Sequence, residues 1–344
     1  MTKRLIKVED AVGTVLAHDI TEIRRGEFKG PAFRKGHRVR EDDVCHLQRL
    51  GKRHLYVLDV EEGQLHEDDA AIAMAAAFCG EGVRWEGEPR EGKLNLVAAH
   101  DGLFKADAAA LTEINLLAEV MCASRHTNCP VRRGEIVAAV RAIPLVISAQ
   151  IVDAAVAIAR SRAGLFRVRP LRRANAGILI TGSEVYSRLI EDQFEPLLRR
   201  KMEAVGARVL RVAFAPDEIG IIAGEVRRLL SEGADLLLIT GGMSVDPDDV
   251  TRQAVIEAGG TDLLYGAPVI PGAMFMIATI GSVPVLGVPA CGLYHETTIF
   301  DLVLPRVLAG ERLSRREIAA LGHGGLCLHC GECRYPRCPF GKGE

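Results

Sequence analysis

Three runs of sequence end in residues that can hold an anion or a divalent cation. Leu236 to Thr251 reads L-L-L-I-T-G-G-M-S-V-D-P-D-D-V-T, Ala176 to Val185 reads A-G-I-L-I-T-G-S-E-V, and Val283 to Gly292 reads V-P-V-L-G-V-P-A-C-G. Each is an apolar run of strand length that stops at glycine or proline. Main-chain amides at Gly182, Gly241 and Gly242 can point at phosphate oxygens where a helix follows. Thr181, Ser183, Thr240, Ser244 and Thr251 offer hydroxyls, while Glu184, Asp246 and Asp249 offer carboxylates. Two or more carboxylates facing phosphate oxygens are the usual way to hold Mg2+. A lone Gly-Gly pair is ordinarily a tight strand-to-helix turn with solvated acids, and Asp248 would serve equally as a helix cap. Three such ends in one chain describe a pocket better than three coincidental turns, with Pro289 and Gly292 as its third side.

A second constellation lies in the tail. Cys327, Cys330, Cys333 and Cys338 give C-x2-C-x2-C-x4-C followed by Pro339, four thiols on a Gly-rich, helix-poor stretch. This spacing brings sulfurs round one metal centre. The ferredoxin run is C-x2-C-x2-C-x3-C-P, and its last spacer is one residue shorter. Tetrahedral zinc usually takes two C-x2-C pairs held well apart. The compact run points to a [4Fe-4S] cluster, with Zn2+ as the alternative. Cys122, His126 and Cys129 are also close in the chain but lack a fourth ligand.

The elements that position these residues alternate. Strands are expected at Gly177 to Thr181, Arg208 to Ala213 and Asp235 to Thr240, with helices at Glu184 to Val205, Asp217 to Ser231 and Asp248 to Ala258. Met274 to Ile280 and Val283 to Val288 add two strands, and His295 to Leu308 a closing helix. Leu236 to Ile239 are apolar at consecutive positions, as in a parallel strand covered on both faces. The fold class is α/β, with a three-layer Rossmann-like domain on a mostly parallel sheet, in which ligands sit at the carboxyl ends of the strands. Before it, Glu41 to Gly51 reads as a helix and Leu55 to Leu58 as a strand. Ala70 to Phe78 and Asp107 to Ala123 suggest helices, Asn95 to Ala99 a strand, and Val131 to Ile147 turn and strand. The expected divisions are residues 1–60, a mixed or β-rich region with an Arg-rich linker at 61–173, the pocket domain at 174–310, and the cysteine tail at 311–344.

Composition narrows the function. The chain has 344 residues, 48% of them hydrophobic, enough for at least two domains. Lys plus Arg number 43 against 45 for Asp plus Glu, a net charge of −2, which argues against a dedicated nucleic-acid or membrane-surface protein. Arg160 to Arg173 is the local exception, with six arginines and no acid; it reads as a solvated linker or as a surface for an anion. Leu263 to Tyr294 carries no formal charge, but Gly and Pro interrupt it too often for a membrane helix of about 20 residues. The start M-T-K-R-L-I-K-V-E-D has no apolar core of a signal peptide, and nine cysteines without one point to a reducing cytoplasm.

Residues 174–309 resemble the molybdopterin-binding domain shared by the molybdopterin molybdotransferase and molybdopterin adenylyltransferase families. The transferase pattern T-G-D-E-L is met by Thr181, Gly182 and Glu184, with Ser183 and Val185 as departures, and G-G-V-S-x-G-x-x-D by Gly241, Gly242, Ser244 and Asp249. Asp246 stands in place of a glycine. The adenylyltransferase run T-G-G-T-G followed by D-x-T is met by Thr240, Gly241, Gly242, Asp249 and Thr251. Where the molybdotransferases carry K-P-G-K-P and L-P-G-N-P, this chain has Ile270 to Met274 and Val288 to Gly292, without the two lysines and the asparagine. The opening V-E-D-A-V-G-T-V-L-A is similar to their D-A-x-G-x-V-L-A. The resemblance implies molybdopterin as ligand, a role in molybdenum cofactor biosynthesis by transfer of molybdate or an adenylyl group, Mg2+ held by Asp249 and Glu184 as catalytic carboxylates, and a homodimer. Without the lysines, the alternative is a non-catalytic carrier or sensor that docks on a molybdoenzyme or another cofactor-assembly protein through its cysteine tail. A nucleotide-processing enzyme on the same fold is a third reading.

Overall fold

The computed structural model describes residues 3–24, 28–58, 60–244, 246 and 249–343. The chain forms two compact units, one of residues 1–99, 106–125 and 133–168, the other of residues 100–105, 126–132 and 169–344. The cysteine tail thus falls in the same unit as residues 174–310, and the expected segment 61–173 is divided between the two units.

The first unit is rich in antiparallel strands. Lys3–Lys7, His54–Leu58 and Val15–Leu16 make one sheet over a core of Leu16, Leu47, Leu55 and Val57. The helix Glu41–Arg49 follows the apolar spacing and carries three acids in its first turn, which suits the positive end of a helix dipole. A second sheet runs Val120–Ser124, Ile136–Ala142, Lys93–Ala98, Val83–Arg90. The expected helix Asp107 to Ala123 ends early: Ala108–Asn115 is helical, whereas Val120–Ser124 is a strand paired with Ile136–Ala142. Its alternating burial, with Val120 and Cys122 inward, is the period that sequence composition concealed.

The second unit is built on six strands in the order Arg208–Ala215, Asn175–Thr181, Leu236–Thr240, Val283–Val288, Met276–Ile280, Gly260–Tyr265. The first four pair in parallel, and Met276–Ile280 pairs antiparallel with the strands on both its sides. Ile178, Leu238 and Leu286 bury against one helical layer, and Leu179, Leu237, Ile239 and Val285 against the other. Both faces of the sheet are therefore covered, which is why its central strands read as unbroken apolar runs.

Several bounds differ from the sequence reading. The expected helix Glu184 to Val205 is two helices, Ser183–Tyr186 and Phe194–Ala204, separated by a segment in which Arg188 has φ 58° and Leu189 is 76% exposed. The helix expected from Asp248 begins at Thr251, and Asp248 itself lies outside the described residues. A short 3-10 turn, Ala290–Leu293, precedes the last long helix, Ile299–Leu308, which starts on a capping box from Thr298 and Asp301. Among the described residues no helix is long and apolar enough to cross a membrane.

Candidate functional site

Register brings the three sequence-predicted loops to one rim. Ile180 lies opposite Thr240, and Thr240 opposite Val288, in adjacent parallel strands. The chain therefore leaves the sheet side by side at Gly182, Gly241 and Pro289. The fourth parallel strand ends beside them, with Ala215 opposite Thr181.

Three buried threonines knit the first two loops together. The Thr181 hydroxyl donates to the Thr240 carbonyl at 2.9 Å, and the Thr251 hydroxyl donates to the Gly241 carbonyl at 3.0 Å. Their oxygens stand 3.2 Å apart, with each hydroxyl proton already engaged. The Thr251 amide closes the turn on the Gly242 carbonyl at 3.1 Å. Thr181 and Thr251 therefore shape the rim from within rather than face a ligand. Thr240 is different. It is fully buried, and its hydroxyl has no hydrogen-bond partner among the described residues. A buried hydroxyl left unpaired costs about 1–3 kcal/mol.

The glycines are required by the protein itself. Gly241 and Gly242 have φ of 82° and 57°, and an added Cβ would strike the Thr181 carbonyl at the first and the Thr251 hydroxyl at the second. The space beside both glycines is filled by the neighbouring loop and helix. Gly182, at φ 141°, has open room around it, but its amide is taken by the Ala215 carbonyl at 3.1 Å and is not an anion donor.

Ser183 is likewise engaged. Both its amide and its hydroxyl donate to the Asp217 carboxylate, at 2.8 and 3.0 Å. Asp217 was missed as a site residue, although the Pro216-Asp217 pair directly after a strand is the signal that would have found it. Glu184 is exposed in the first turn of a one-turn helix. The Asp249 carboxylate accepts from the Asp246 amide at 3.0 Å, and the Asp249 amide donates to the Asp246 carbonyl at 3.0 Å, so these two acids form a closed turn. Ser244 and Asp246 are exposed on it. The second loop is fastened from behind, where the Tyr265 hydroxyl donates to the Met243 carbonyl and the Arg252 guanidinium lies 4.1 Å from the Tyr265 ring centroid.

On the third loop, the Gly292 amide donates to the Pro289 carbonyl at 3.0 Å, leaving Tyr294 83% exposed. Cys291 is half-buried, and burial pushes its thiol up. Lys201 reaches this loop, but its ammonium is held by the Glu296 carbonyl at 2.8 Å and by Asp301, so it does not replace the absent lysines. Of the arginine stretch, Arg172 is held within the second unit, where it donates to the carboxylate and carbonyl of Asp235 at 2.6 and 2.8 Å.

Among the described residues, no group of three or more His, Cys, Asp or Glu side chains is gathered as metal ligands. Glu184, Asp246 and Asp249 are not brought together as an ion cage, and neither are the tail thiols nor Cys122, His126 and Cys129. Cys122 is buried, which pushes its thiol up to about 12, with Cys79 adding to the shift. In the tail, Cys330 and Cys333 are exposed, whereas Cys327 and Cys338 are half-buried.

Residues 177–309 match the family model described as "Probable molybdopterin binding domain". Over this stretch the chain is similar to that family. Residues 5–59 match a domain of unknown function, DUF8806. A CinA-like protein of Thermotoga neapolitana is 39% identical over 89 residues, 26% of this chain and 22% of that protein. Another, from Mycolicibacterium vanbaalenii, is 31% identical over 96 residues, 28% of this chain and 23% of its own. The chain thus spans about a fifth of the length of these curated relatives. Among solved structures, the molybdopterin biosynthesis enzyme MoaB of Thermus thermophilus is 20% identical, with a TM-score of 0.35, over 40% of this chain and 98% of its own. The tungsten cofactor synthesizing protein MoaB of Pyrococcus furiosus is 18% identical, with a TM-score of 0.34, over 41% and 99%.

Proposed function

We propose that this chain binds molybdopterin, or its adenylylated form, at the rim formed by the three loops, and that it holds the cofactor rather than remakes it. The observation that carries the binding reading is the unpartnered Thr240 hydroxyl at the carboxyl end of the central strand, where ligands of open α/β sheets sit. In this reading Thr240 bonds the pterin, Ser244 and the amides following Gly241 approach its phosphate, and Pro289 and Gly292 line the third side. Thr181, Gly182, Ser183, Gly241, Gly242 and Thr251 set the loop shape. Asp249 and Asp246 would supply the one or two carboxylates that a Mg2+ carried in with the phosphate needs, and Glu184 is the remaining candidate.

What supports carriage over transfer is the charge at the site. Ile270 and Ala273 occupy the positions of the transferase lysines, and Lys201 is engaged by Asp301, so no described ammonium is placed to steady a developing oxyanion. Delivery to a molybdoenzyme, or to another cofactor-assembly protein, then gives the bound pterin an outlet. The test is an anaerobic fluorescence titration with molybdopterin, run beside assays for adenylylation and molybdate insertion. Stoichiometric binding without nucleotide consumption is expected. Turnover abolished by Asp249→Ala would overturn the carrier reading, and binding of a nicotinamide-type nucleotide with no pterin binding would overturn both.

A further inference from the structure

The tail is a loop closed on itself. The Gly341 amide donates to the Gly324 carbonyl at 2.9 Å, and Phe340, 3% exposed, seals the closure into the core. Its leading edge is pinned to the segment before the third loop: the Ile270 amide donates to the Gly325 carbonyl, and the Cys327 amide to the Ile270 carbonyl, both at 2.8 Å. Cys327 and Cys338 sit three residues inside the closure on either side and pack partly against the core. The span between them carries Cys330 and Cys333, exposed and without regular secondary structure. This tip touches the segment that leaves the third loop. The Cys333 thiol is 3.2 Å from the Thr297 hydroxyl, and the His329 ring centroid is 4.9 Å from that of His295.

We propose that the tail is a tetrathiolate metal site whose loading loosens its hold on the third loop. Four thiols take up one M2+ and release four protons, giving M(S-Cys)4 with a net charge of −2. A zinc-type ion requires all four sulfurs at about 2.3 Å, and they are not gathered in the present arrangement. The half-buried pair is anchored and the exposed pair is not, so the tip folds back toward the base, drawing Cys333 from Thr297 and His329 from His295. The closed base lowers the entropy cost of this gathering, because the long-range ends of the loop are already joined. Coupling is reciprocal: a ligand that fixes the third loop in contact with the tip weakens metal binding. Only that last consequence rests on the pterin reading; metal uptake does not.

The experiment uses the full chain, purified anaerobically and stripped with a chelator. One arm receives Zn2+, with Co2+ as the spectroscopic probe for thiolate ligation; the other receives Fe2+ alone. Saturable uptake in either arm is expected, with Cys327, Cys330, Cys333 and Cys338 protected from alkylation while exposed Cys45 stays reactive. The arm that loads identifies the metal chemistry. Cys330→Ser and Cys333→Ser, both at exposed positions, should each weaken binding at least about tenfold, and Thr297→Val should tighten it by about 2–5-fold by removing the competing contact. No uptake in both arms, or uptake with the tail thiols still alkylated, overturns the metal site. Unchanged affinity in Thr297→Val overturns the coupling.

Discussion

Replacing Thr240 by valine separates a ligand contact from a structural one. The two side chains have nearly the same shape, and the main-chain carbonyl that accepts from Thr181 is retained. In the free chain the Thr240 hydroxyl is buried without a partner, a situation worth about 1–3 kcal/mol against the fold. Its removal is therefore expected to stabilise the free chain by about 1 kcal/mol. If the same hydroxyl bonds the pterin, the substitution removes a contact worth about 1–1.5 kcal/mol, and the dissociation constant rises about 5–10-fold. The measurements are a denaturant unfolding curve of the free chain and an anaerobic fluorescence titration. Opposite signs are the signature: greater stability with weaker binding. A variant that is less stable and binds pterin as before would refute the assignment of Thr240 to the ligand.

Three further expectations concern the scaffold. Gly241→Ala combines a left-handed backbone with a clash against the Thr181 carbonyl, and should lower stability by about 2–4 kcal/mol in denaturant unfolding, with loss of pterin binding. Burial, aided by Asp68 and Glu91 and offset by Arg141, raises the Glu67 carboxyl to about 7. An acid raised in the folded state contributes stability that is complete below its unfolded value near 4.5 and is lost as pH rises through about 7. Glu67→Gln should thus be about 1–3 kcal/mol more stable than the parent at pH 8 and indistinguishable from it at pH 4, as read by thermal unfolding. Around Glu311 burial works to raise the carboxyl, but hydrogen bonds from Lys105 and Arg306 overcome it and hold it low. Such a group stabilises the fold above the ordinary carboxylate range and ceases to do so as pH falls through its lowered value. Arg306→Ala should accordingly destabilise by about 3–5 kcal/mol at pH 7, with the gap to the parent narrowing in acid.

The parallel sheet was legible because two covered faces force consecutive apolar residues, as in Leu236 to Ile239. The meeting of the three loops was legible from the repeated strand-glycine pattern. What the glycines do was not. Gly241 meets Thr181 of a loop some sixty residues earlier, a contact that no local pattern encodes, and Gly242 meets Thr251 only because the intervening loop folds back on itself. The break in the helix after Tyr186 was hidden for the opposite reason: Leu189 and Ile190 have helical propensity and apolar spacing, yet lie exposed in the structure. Alanine, methionine and leucine favour a helix as far as Ala123; pairing of Val120–Ser124 with Ile136–Ala142 overrides that preference. Asp217 went unnoticed because its partner, Ser183, already had a plausible ligand role of its own.

The Asp217 staple has a consequence for how a molecule reaches the rim. By taking up the amide and the hydroxyl of Ser183 from the flank, it leaves the polar groups of the second and third loops to meet a ligand. Discrimination among candidate ligands should then reside in residues 241–251 and 289–296. Grafting those two segments from a relative of different preference should transfer that preference, whereas grafting the segment after Thr181 should not.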